Sequence, residues 1–131
     1  DLHRLIRRQR QMCIRDSSET ALQDYYVALR FTLPKDFGSW LTNAIAVRYK
    51  TESATSINSY VSVYVFKGGN ASAIASVTDN ANTDWTNIAI TSAALGSWVA
   101  GDVLELYIKL ASKDNYFARC GYIRFKYSRK T

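Results

Sequence analysis

The chain has 131 residues, with 17 Lys and Arg against 11 Asp and Glu, a single histidine and a formal charge of +6. That length suits one domain, and no apolar run approaches the ~20 residues that a membrane-spanning helix needs. One histidine and two cysteines exclude a histidine-rich metal site and a multi-disulfide framework.

In chain order, the first sixteen residues, DLHRLIRRQRQMCIRD, are tested as a processing scar before they are read as structure. Back-translated, Asp1-Leu2-His3 is GAT CTA CAC, and Arg7 to Asp16 is CGT CGG CAG CGT CAG ATG TGT ATA AGA GAC. These strings resemble the two ends of a short-read sequencing adapter, with Arg4, Leu5 and Ile6 filling the place of a sample barcode. The resemblance implies that residues 1–16 are an artefact tail outside the fold, that the domain is 17–131, and that the natural N-terminal region is missing. The other reading, from Leu2, Leu5, Ile6, Met12 and Ile14, is an amphipathic helix or a basic nucleic-acid-binding arm. The run lacks the apolar core of a secretory signal.

Without that tail, five basic and two acidic residues are lost, leaving twelve against nine and a charge of +3. The basicity then gives no argument for a nucleic-acid partner. His3, Met12 and Cys13 also go, so residues 17–131 hold no histidine and one cysteine, Cys120. That excludes Ser-His-Asp and Cys-His catalysis in the domain, and the expectation is a protein that is not an enzyme and carries no cofactor.

Period-two runs of Val, Ile, Tyr, Phe and Thr dominate residues 17–131. Tyr25 to Leu33 places Tyr25, Val27, Leu29, Phe31 and Leu33 on one face, and Pro34 ends its ladder because it has no N–H to donate. Ala44 to Lys50 sets Ile45, Val47 and Tyr49 against Ala46, Arg48 and Lys50, which predicts a sheet wet on one side. Tyr60 to Lys67 is apolar on both faces and reads as a central strand. Gly68, Gly69 and Asn70 predict a hairpin turn into Ala71 to Val77. After a polar loop, Thr78 to Asp84, come Trp85 to Ser92 and Val103 to Ala111, the latter opposing Leu104, Leu106, Ile108 and Leu110 to Glu105, Tyr107 and Lys109. In the last run, Tyr116 to Tyr127, Gly121 marks a bulge or a close backbone approach. The fold expected is all-β: a single antiparallel β-sandwich, jelly-roll-like, of about seven or eight strands.

Candidate sites are sparse. Most carboxylates fall at turns, where Asp caps its own backbone. Asp79, Asn80, Asn82 and Asp84 have oxygen ligands at calcium-like spacing, without the glycine and distal glutamate of an EF-hand loop. Asn70-Ala71-Ser72 fits a glycosylation acceptor. The cations Arg119, Arg124, Lys126, Arg129 and Lys130 alternate with rings and read as the solvated face of a last strand. Trp40, Trp85 and Trp98 lie near loop–strand boundaries, alongside Tyr60, Tyr64, Tyr107, Tyr116 and Tyr122; the tryptophans either plug the ends of the sandwich or stack against sugar rings as ligand-binding residues.

The phrases FTLPKDFGSW, NAIAVRYKT, Trp98 followed by Gly-Asp, LYIKLASKDN and GYIRFKY together resemble β-sandwich domains of uncharacterised bacteriophage structural or appendage proteins, over residues 25–127. The resemblance implies a virion component with a structural or receptor-contact role, homo-oligomeric, a trimer being one arrangement, or bound to other virion proteins and a host-surface glycan. The alternative is a carbohydrate-binding module of a secreted or cell-surface, extracellular protein.

Overall fold

The computed structural model describes the backbone of residues 3–8 and 13–130 and the side chains of 14–130. Its strands are β1 (His3–Arg8), β2 (Cys13–Arg15), β3 (Gln23–Thr32), β4 (Phe37–Thr51), β5 (Ser59–Lys67), β6 (Ala75–Asn80), β7 (Thr86–Ile90), β8 (Val103–Ser112) and β9 (Ala118–Arg129), with one helical turn, α1 (Ser92–Leu95), before β8. One sheet has the order β1-β9-β4-β7, with β2 also on β9; the other has the order β3-β8-β5-β6. Every pairing is antiparallel. Because β1 lies along Arg124 to Ser128 and β2 along Ala118 to Cys120, the two are pieces of one edge position. Counted so, eight positions run 1-8-3-6 in one sheet and 2-7-4-5 in the other, the double Greek key of a jelly roll.

The predicted alternation sets the core. On β3, Tyr25, Val27, Leu29 and Phe31 face inward while Asp24, Tyr26, Ala28 and Arg30 face out. On β8, Leu104, Leu106, Ile108 and Leu110 are fully buried. They meet Val61, Val63 and Val65 of β5 and, from the opposite sheet, Ile45, Val47, Ile123 and Phe125. Burying each such side chain is worth roughly 1.5–3 kcal/mol.

Three features depart from simple alternation. First, β4 begins at Phe37, seven residues before the expected start. It accommodates the extra length with a bulge: Trp40 pairs with Tyr127 and Ile45 with Phe125, so the four residues between them oppose Lys126 alone, and Asn43 takes a left-handed φ of 55°. Second, the register moves again between Val47 opposite Ile123 and Tyr49 opposite Cys120, placing a bulge at Gly121 as expected. A Cβ there would meet Cζ3 of Trp85 at 3.3 Å, so glycine also serves the close approach. Third, the outer side of β4 is only partly wet: Ala46 is buried and Arg48 half-buried, its guanidinium lying over the rings of Trp85 and Tyr122. The turn α1 was not anticipated, although Thr91 Oγ1 accepts from Ala94 N at 3.2 Å and Gly96 closes it at φ 76°, the residue types that start and stop helices.

The two ends of the sandwich are built differently. One is sealed by Phe37, Trp40, Leu95, Trp98 and Tyr127. The other is sealed by hydroxyls: Ser17 N donates to Ser112 Oγ at 3.0 Å, Thr51 Oγ1 donates to the Ser53 carbonyl at 2.7 Å, and Asn82 N donates to Thr51 Oγ1 at 2.9 Å.

Within the segment expected to lie outside the fold, β1 and β2 pair with β9 through backbone, the Tyr25 hydroxyl donates to the Ile14 carbonyl at 2.8 Å, and Arg15 lies 5.6 Å from the Tyr25 ring centroid. Positions 1, 2 and 9–12 of that run lie outside the described residues, as does 131. Ladder bonds use groups that every residue but proline carries, so they place the segment without revealing its origin. Among the described residues, the buried apolar core begins at Leu33. A chain starting at Ser17 should therefore keep an all-β circular-dichroism spectrum and unfold cooperatively. Loss of the cooperative thermal transition would instead make the edge strand integral to the fold.

Candidate contact face

Period two dictates that what β8 does not bury it presents on the outer face. There Tyr107 pairs with Ala28 of β3 and Tyr64 of β5, and Tyr64 with Ser76 of β6. In the next row Lys109 pairs with Tyr26 and Ser62, and on the other side Glu105 pairs with Arg30 and Phe66. Rings thus stand beside the small side chains of Ala28, Ser62 and Ser76. The result is an open groove of about 460 Å³ lined by Tyr26, Tyr64, Phe66 and Tyr107. Tyr26 meets Tyr107 edge-on at 6.3 Å between centroids, and Phe66 meets Tyr107 edge-on at 5.3 Å. These contacts fix the rings in place. Tyr26 is nonetheless 51% exposed.

The rim is polar and neutralised. Lys109 Nζ lies 3.4 Å from Asp24 Oδ2 and 5.5 Å from the Tyr60 ring centroid. Its side-chain hydrogen bond with Tyr60, aided by Asp24 and opposed by desolvation, holds the ammonium above the ordinary lysine range. Arg30 pairs with Glu105 at 3.8 Å. Ring faces bounded by hydroxyls and paired charges suit a ligand that is itself neutral and amphipathic, with C–H faces to stack and hydroxyls to bond.

The structure separates the three tryptophans. Trp40 and Trp98, 7% and 5% exposed, meet edge-on at 5.9 Å as parts of the apolar plug. Trp98 Nε1 donates to the Leu95 carbonyl at 2.7 Å, whereas Trp40 Nε1 is buried with no partner among the described residues. Trp85 is half-buried on the outer face of the other sheet, with Arg48 Cζ over its ring 5.7 Å from the centroid. None of the three lines the groove.

The residues expected to bind calcium are spread along a strand end and a turn. Asp79 and Asn80 belong to β6. Asn80 Nδ2 donates to the Val61 and Val77 carbonyls at 3.0 and 3.2 Å, and Asn82 Oδ1 accepts from Asp84 N at 3.1 Å. Among the described residues, no group of three or more His, Cys, Asp and Glu comes together to hold a metal ion.

Sequence reasoning named Tyr60, Tyr64 and Tyr107 but missed Tyr26 and Phe66. A signal was present: Tyr60, Tyr64 and Phe66 share the outward parity of a strand whose other parity is Val61, Val63 and Val65, so two apolar faces left one for something other than the core. Fold and face together define a jelly-roll domain with an aromatic groove on the outer face of one sheet. Compared with family models, curated proteins and solved structures, the chain finds no significant match in any of the three.

Two measurements check these placements. Trp98→Phe should cost more stability in urea unfolding than Trp40→Phe, by about 1 kcal/mol, because only the former removes a satisfied hydrogen bond and strands a carbonyl; equal losses would count against the geometry of the plug. Calcium or EDTA should leave the melting temperature unchanged, and a calcium-dependent rise of several degrees would place an ion at Asp79 to Asp84.

Proposed function

We propose that this chain is a non-catalytic contact domain of a phage virion or tail appendage, and that the groove of Tyr26, Tyr64, Phe66 and Tyr107 is where it meets a saccharide of the host surface. The groove carries the reading. Aromatic side chains held by one another and left open to solvent are what a stacking ligand requires, and they are unusual on a face with no other task. The double Greek key adds support at the level of architecture only, since jelly rolls recur in viral capsid and lectin domains. The phage assignment rests on the phrase resemblance over residues 25–127. A carbohydrate-binding module would use the same groove in the same way and differs in its parent protein.

A glycan array combined with sedimentation of the full chain tests this. Binding to a defined neutral sugar, weakened about tenfold by Tyr26→Ala or Tyr107→Ala through the loss of a stacking ring and insensitive to Trp40→Phe, is the expected result. A chain that binds no sugar and self-associates through the same two tyrosines would make the groove an interface between copies and overturn the receptor-contact reading.

A further inference from the structure

We propose that the opposite outer face, on the sheet formed by β9, β4 and β7, binds an acidic polysaccharide through Arg48, Arg119 and Arg124. This is a second surface, independent of the aromatic groove and separated from it by the whole thickness of the sandwich.

Charge distinguishes the two faces. Four cations among the described residues are in ion pairs: Arg30 with Glu105, Lys67 with Asp102, Lys109 with Asp24 and Arg129 with Asp36. The side chains of Arg48, Arg119 and Arg124 have no ion pair or hydrogen bond among the described residues, and neither do those of Lys50 and Lys126 beside them. The nearby Glu52 forms no ion pair with them among the described residues; its Oε1 accepts from Phe117 N at 3.4 Å. One sheet thus presents an aromatic face with paired charges and the other a face of unpaired cations.

These arginines are also preorganised. Arg119 lies 4.0 Å from the centroid of Phe117, Arg124 5.7 Å from Tyr122, and Arg48 5.7 and 5.9 Å from Trp85 and Tyr122. These cation–π contacts restrain each guanidinium before any ligand arrives, which reduces the entropy lost when its planar fork takes a carboxylate or sulfate. The Nε atoms of Arg119 and Arg124 are buried and have no hydrogen-bond partner among the described residues.

The layout favours a polymer. Arg119 and Arg124 both lie on β9 and are separated by roughly 15 Å at ~3.3 Å per residue, with Arg48 on β4 between them at the Gly121 bulge. A single small anion cannot reach both. Nucleic acid fits less well, because guanidinium groups already cover the rings that bases would stack on, and a sheet face does not enter a duplex groove as a helix does.

The test uses the full chain on immobilised heparin, with neutral dextran and a mixed-sequence DNA duplex as comparisons. The control variant R30Q/K35Q/K113Q removes three cations from the other sheet and the loops. Heparin binding with no dextran binding, weakened more than about tenfold by R48Q/R119Q/R124Q and much less by the control, supports the proposal. Equal losses in the two triple variants would reduce the effect to net charge and overturn it, as would tighter binding to the duplex that depends on the same three arginines. If circular dichroism shows the glutamine triple variant unfolded, R48K/R119K/R124K decides: weaker heparin binding at unchanged charge supports the stacked forks, and unchanged binding overturns them.

Discussion

The structure depends on β8 being paired on both sides along its length, with β3 from Val103 to Ser112 and with β5 from Leu104 to Ser112. Its leucines and isoleucine can satisfy the core in only one register, because a shift by one residue would turn Leu104, Leu106, Ile108 and Leu110 to solvent and bring Glu105, Tyr107 and Lys109 inside. The same constraint assembles the groove. Once Leu106 and Ile108 are inward, Tyr107 must be outward, and its neighbours on either side must be Ala28 and Tyr64. The aromatic groove is therefore the reverse side of the core, and a core mutation that loosened the register would blur it as well.

What could be read in advance depends on which interactions are local. Strict alternation in Tyr25 to Leu33 and in Val103 to Ala111 was sufficient to give strands, faces and core, because period two is written in neighbouring residues. Gly121 was legible as a bulge for a similar reason. The extension of β4 back to Phe37 was not, since it depends on Tyr127 and Arg129 across the sheet and on Asn43 adopting a left-handed turn. Nor were the separate fates of Trp40, Trp85 and Trp98: three residues of one type near loop boundaries look alike until the pairing partner of each is known. The groove was half legible. Its Tyr64 and Phe66 lie on one strand with visible parity, but Tyr26 and Tyr107 join them only through strand order, and the order β3-β8-β5-β6 is a long-range property that no window of sequence contains.

The unlike ends of the sandwich give the domain a direction. At the end closed by Phe37, Trp40, Trp98 and Tyr127, any separation of the sheets exposes ring surface to water and loses dispersion contacts together. At the end closed by Ser17, Thr51, Ser53 and Ser112, water can replace a hydroxyl partner almost in kind, so separation there costs little. Local opening is thus polarised along the long axis. On that basis amide protons around Thr51, Ser59 and Ser112 are expected to exchange through fraying of that end, and those around Trp40 and Tyr127 only when the whole sandwich opens. Both outer faces run between these ends, so each has one margin set by packed rings and one set by exchangeable hydroxyl bonds.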